Sequence, residues 1–120
     1  MARTDFATFR RRVLENIEAD LAREAAQAEA LRAAVVPVVA EALGDARREG
    51  RCERTWLFGS FAWGQPTERS DVDLLVARCE DPDALAAEVW RKVDRAVHVV
   101  TLERAPESLV QRVLAEGLPL

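Results

Sequence analysis

The stretch LFGSFAWGQPTERSDVDLLV, residues 57–76, constrains the fold more than any other part of the chain. Both ends are apolar and rich in strand-forming residues, and the middle is marked by glycine and proline. It therefore reads as strand, turn, loop, strand. The second strand opens with two carboxylates, Asp71 and Asp73. Alternate residues of a strand share a face, so both acids point the same way. Like charges so placed repel unless a cation lies between them. Mg2+ is a hard cation that takes one or two carboxylates together with substrate phosphates. The first strand stops at Gly59 and Ser60. Glycine allows a backbone to approach a ligand closely, and Ser60 can open a helix whose free N–H groups favour an anion. A cation holder beside an anion cradle fits an Mg2+-bound nucleoside triphosphate.

Upstream, Phe6, Phe9, Val13, Ile17, Leu21, Ala25, Ala28, Leu31 and Val35 recur at spacings of three and four, which is one apolar stripe on a helix. Thr4 is the expected N-cap. Roughly thirty helical residues would span about 45 Å, more than one small domain needs. The helix either projects and pairs with another chain or folds back on the core. Pro37 is expected to kink or restart it and Gly50 to end it. Downstream, RTWLF, DVDLLVAR and AVHVVTL read as strands. Between the second and third, Asp81 caps a helix opened by Pro82, with Leu85, Val89, Trp90 and Val93 as its apolar face. A last helix ends at Gly117. The strand–helix–strand crossover makes strands two and three parallel, and the short link between strands one and two permits an antiparallel pair. The expected class is α/β (α+β), a small mixed sheet covered by helices.

The 120 residues suit one domain, a helical segment at 1–50 followed by a core at 51–120. A net charge of -4 argues against a generally basic nucleic-acid-binding surface. His98 is the one histidine, which excludes a histidine-rich zinc site. Cys52 and Cys79 lack metal-ligand spacing and are expected as two reduced thiols of a cytoplasmic protein. The longest strictly apolar runs are short, such as AAVVPVVA at 33–40, and neither a membrane span nor a signal peptide is expected.

Gly59-Ser60, then residues 61–70, then Asp71-Val72-Asp73 and LLV resemble the minimal nucleotidyltransferases of the polymerase-beta-like superfamily. That family reads Gly-Ser-x-Ala-Arg-Gly, a loop, then Ser-Asp-x-Asp-Leu, and this chain has GSFAWG and SDVDLL. The resemblance covers roughly residues 54–118, since VVTLERAP and VLAEG also look like the family's third strand and last helix. It implies the family's small sheet of three to four strands, here behind a long N-terminal helix. It implies transfer of a nucleoside monophosphate, AMP from ATP or another NTP, to a hydroxyl. Gly59 and Ser60 would hold phosphate, with Arg69 and Ser70 completing the nucleotide site. Asp71 and Asp73 would hold Mg2+ and, with His98, form the catalytic set. Many such stand-alone proteins resemble the antitoxin of a toxin–antitoxin pair, whose toxin is a small helical HEPN ribonuclease that some of them modify with AMP on a tyrosine. This chain contains no Tyr and could not be its own acceptor in that chemistry. A homo-oligomer through the long helix is the other expected assembly.

Two positions depart from the family pattern. Trp63 replaces the arginine of the glycine turn, where it can stack on a base or pack on the domain. His98 stands where the third strand usually carries a third carboxylate. A neutral imidazole accepts a proton near pH 7 but is a poor Mg2+ ligand. Neither Asp94, at or before the strand start, nor Glu103, on the opposite strand parity, is a substitute. The sequence thus admits an active transferase with His98 as base, an inactive relative that binds a partner or nucleotide, or an interaction module built on the helix.

Overall fold

The computed structural model describes residues 5–120. The first helix, α1, runs Phe6–Arg48. Asp5 caps it, its Oδ1 accepting from the Ala7 N–H at 3.0 Å. Thr4, the expected cap, lies outside the described residues. Of residues 5–27 all are exposed except the half-buried Thr8, and burial begins at Ala28. The helix therefore projects, and the molecule measures 75 × 30 × 17 Å along its principal axes. Pro37 neither kinks nor restarts it as expected; α1 continues through the proline. A proline costs one backbone hydrogen bond. Val35 before it and Val39, Ala42 and Leu43 after it are all buried on the same core, so packing holds both halves on one axis. Gly50 ends the helix as expected. It sits at φ 75°, and the N–H groups of Gly50 and Arg51 close back on the carbonyls of Arg47 and Ala46 at 3.1 and 2.8 Å.

Strand β1 (Arg54–Phe58) pairs antiparallel with β2 (Val72–Ala77), and β3 (Val97–Thr101) lies parallel to β2. A short β4 (Leu118–Pro119) adds to the far side of β1, completing the order β3-β2-β1-β4. The remaining helices are α2 (Ser60–Trp63), α3 (Pro82–Val93) and α4 (Glu107–Glu116). Asp81 caps α3, accepting from Ala84 N–H at 3.0 Å. The fold is mixed α+β with a four-stranded sheet and a long N-terminal helix, as the sequence implies. Strand parity divides the core in two. Leu57, Val72, Leu74 and Val76 face α1 and α3, packing on Val39, Leu43, Leu85 and Val89. Trp56, Phe58, Leu75 and Ala77 face the other way, with Val113 of α4 against them. Trp90, expected on the apolar face of α3, is instead 55% exposed; Leu85 and Val89 carry that face.

Cys52 and Cys79 form a disulfide, against the expectation of two free thiols. They are 27 residues apart, and nothing local links them. The β1–β2 register joins them: Arg54 faces Ala77, and continuing the ladder past the strand ends sets Cys52 opposite Cys79. No helix among the described residues is long and apolar enough to cross a membrane.

Candidate active site

The site lies where β1 ends and β2 begins. Phe58, the last residue of β1, is the register partner of Asp73. The next residue, Gly59, has φ 75° and ψ -151°, a conformation that favours glycine. A β-carbon there would collide with an Asp73 carboxylate oxygen and lie 3.1 Å from its Cγ. Glycine is thus required twice, for the backbone angle and for the approach of the carboxylate. Ser60 then opens α2, a single turn in which Ala62 and Trp63 N–H groups bond the Gly59 carbonyl at 2.9 and 3.0 Å.

The parallel ladder sets His98 of β3 directly beside Asp73. Equivalent positions on neighbouring strands share a face, and the two side chains meet, with His98 Nδ1 3.7 Å from Asp73 Oδ1. His98 therefore lies on the same sheet face as Asp73. Asp73 is mostly shielded, whereas His98 is 69% exposed. Burial raises the Asp73 carboxyl above its ordinary value, the His98 charge opposes this, and Asp71 adds to it. Asp71 is exposed and sits one residue before β2, not within it.

The donor set suits a hard divalent cation. A shielded carboxylate of raised pKa, with a second acid two residues away and a glycine backbone against it, is a site that cation charge would relieve. Its ligands would be Asp71 and Asp73. Among the described residues no group of three or more His, Cys, Asp or Glu side chains is arranged to hold a metal. Asp94 does not enlarge the set, because it is the left-handed C-cap of α3 at φ 51°. Glu103 is committed beyond the far end of β3, accepting the Arg78 N–H at 2.7 Å, which holds its carboxyl below the usual range.

Ser70 and Arg69 belong to the loop before β2. The Ser70 hydroxyl accepts the Thr67 N–H at 2.8 Å and so closes a turn. Arg69 is exposed and lines a cavity of about 760 Å3 between the loop and α1, shared with Glu24, Gln27 and Leu31. Trp63 packs on the domain. Its ring lies 5.9 Å from Phe58, and the Arg112 guanidinium of α4 sits over it at 4.2 Å.

One organising residue was not expected. Arg95 Nη1 donates to the carbonyls of Thr67, Glu68 and Ser70 at 3.2, 3.4 and 2.8 Å, and its guanidinium lies 5.2 Å from the Phe61 ring. It clamps the loop that delivers Asp71 and Asp73. Its signal was positional: Val72 pairs with Val97, so the same register brings Arg95 beside Ser70.

A family model described as polymerase beta, nucleotidyltransferase matches residues 46–120. A comparison with curated proteins finds no match. Among solved structures, a minimal nucleotidyltransferase is 31% identical, with 78% of this chain and 96% of that chain covered and a TM-score of 0.54. A toxin–antitoxin crystal structure with AMP-PNP is 25% identical over 66% of this chain and 69% of that one, TM-score 0.55. The MntA-HepT toxin–antitoxin structure, at 22% identity, 69% coverage of each chain and TM-score 0.50, speaks to the fold alone. Together with the Gly-Ser turn set against Asp73, these matches make the chain a member of the polymerase-beta nucleotidyltransferase family, in its minimal form.

Proposed function

We propose that the chain is an Mg2+-dependent nucleotidyltransferase that moves AMP from ATP to a hydroxyl of a protein partner, a HEPN-type toxin, and so acts as an antitoxin, with residues 51–120 as the catalytic core. The observation that carries the reading is the corner where Gly59 receives the Asp73 carboxylate and His98 stands beside it. The toxin–antitoxin neighbour with AMP-PNP supports an adenine nucleotide and a toxin as acceptor. A cytoplasmic setting accompanies this reading.

Asp71 and Asp73 would hold the cation, which when bound neutralises charge developing on the phosphates. Gly59 and Ser60 present backbone and hydroxyl to the triphosphate. The acceptor oxygen bonds to the α-phosphorus, the bond to the β-phosphate oxygen breaks, and pyrophosphate leaves. The acceptor's proton goes to His98. Nδ1 faces Asp73 at 3.7 Å, so Nε2 takes the proton, and the Asp73 carboxylate stabilises the imidazolium. Arg95 keeps the loop carrying the acids in place.

The lack of a three-ligand group among the described residues favours a second reading, an inactive relative that only binds its partner. Labelled ATP and Mg2+, incubated with a HEPN-type toxin as acceptor, separate the two. The active reading expects label on the partner and a loss of about a hundredfold or more in His98→Ala. The inactive reading expects no label from the wild type and transfer only after His98→Asp restores a carboxylate.

A further inference from the structure

The family match begins at Ala46, so the projecting half of α1 lies outside it. That half exposes Phe6, Phe9, Val13, Leu14, Ile17 and Leu21, between 40% and 74% each, and the described part of the chain does not cover them. A row of large apolar side chains on a free helix marks an interface. The charges inside the row say what covers it. Asp20 lies seven residues beyond Val13, and Arg10 seven before Ile17, so both sit within the stripe and not on its polar back. Asp20 pairs with Arg23 one turn on in its own helix, but a charge that becomes desolvated inside an apolar seam is costly unless the facing helix also supplies its opposite.

We infer that this half of α1 pairs antiparallel with the same half of a second copy of the chain, about a two-fold axis at Glu15. In that register Val13 faces Ile17 of the other copy and Arg10 faces Asp20, while Phe9 and Leu21 flank the seam on opposite edges. Each contact occurs twice, as a two-fold interface requires. At each end Phe6 meets the methylene stem of Glu24, whose carboxylate stays in water. Glu15, on the axis, points to the back of the helix. A parallel pair would set Arg10 against Arg10 and Asp20 against Asp20, which disfavours it. The stripe is thus its own complement in one orientation. The paired segment, Phe6 to Glu24, is about 28 Å long. The inference is independent of the proposed transfer.

Sedimentation equilibrium of the full chain tests it. A dimer is expected, and Val13→Asp with Ile17→Asp should give a folded monomer, because both side chains are exposed in the single chain. Arg10→Asp should weaken dimerisation at least about tenfold, and adding Asp20→Arg should restore it. Val13→Cys with Ile17→Cys should cross-link two copies on oxidation. A chain that stays monomeric and is bound through this stripe only by a different protein would overturn the inference. So would a dimer that survives the Val13/Ile17 double variant, or a charge reversal that fails to rescue, which defeats the antiparallel register.

Discussion

The two ends of the β1–β2 ladder obey one register and do opposite things. At one end the ladder runs on to Cys52 and Cys79, and a covalent bond closes it. At the other, Phe58 and Asp73 are the last partners, and the chain turns at a glycine with positive φ to admit a half-buried carboxylate. The closed end limits the freedom of the unfolded chain. The open end holds a carboxylate that resists ionisation and a backbone angle few residues accept. Strain and unpaired charge persist only where surrounding structure enforces them, and they gather at functional sites. A ladder locked at one end can carry an unfavourable arrangement at the other.

Breaking the closed end should have the largest effect. Cys52→Ser with Cys79→Ser releases a loop spanning 27 residues and should cost about 3 kcal/mol. Urea unfolding should show that loss, while nucleotide binding by the remaining folded protein is unchanged. A matching loss of binding would mean the ends are not separable. Gly59→Ala attacks the open end, demanding both φ 75° of alanine and space held by the Asp73 carboxylate. It should cost about 1–2 kcal/mol of stability and, more tellingly, abolish the rise in melting temperature that the proposed function expects of the wild type with Mg2+ and ATP together. Retention of that rise would remove the close approach of Gly59 and Asp73 from the site.

The smallest effect sharpens the comparison. Asp73→Asn should raise the melting temperature measured in EDTA, because it removes a carboxylate whose ionisation burial opposes. The sign follows from the raised pKa. Above it, the folded state carries the full cost of the buried charge; as pH falls through it toward the ordinary value of 3.8, the folded state takes up the proton first and the cost disappears. The advantage of Asp73→Asn should therefore be greatest near neutral pH and vanish in acid. Melting curves that keep a constant gap across that window would contradict the cause given for the shift.

Much of this protein is legible in local sequence. The caps at Asp81 and Gly50, the bounds of β1 and the apolar stripe of α1 follow from neighbours within a few residues, whereas the projection of that stripe was left open by the sequence and is set by the fold. Gly59, Ser60, Asp71 and Asp73 also stand within one short stretch of sequence, but the strand-period argument reaches only Asp73, since Asp71 precedes β2. His98 was legible through the parallel crossover, which a strand–helix–strand order implies.

What the amino-acid order determined by itself was therefore the set of elements, the short β4 excepted, and the chemistry offered at one strand end. The tertiary structure alone decided which distant residues meet. Pro37 passes through a helix because buried side chains on both sides of it share one core. Two cysteines pair because a ladder continues past its strands. Arg95 grips the loop that presents the acids because a parallel register lays it beside Ser70. Trp63 stays on the domain because Phe58 and Arg112 enclose its ring. Caps and periods are set by contacts a few residues apart, whereas these pairings close long loops and form only once the whole sheet is in register.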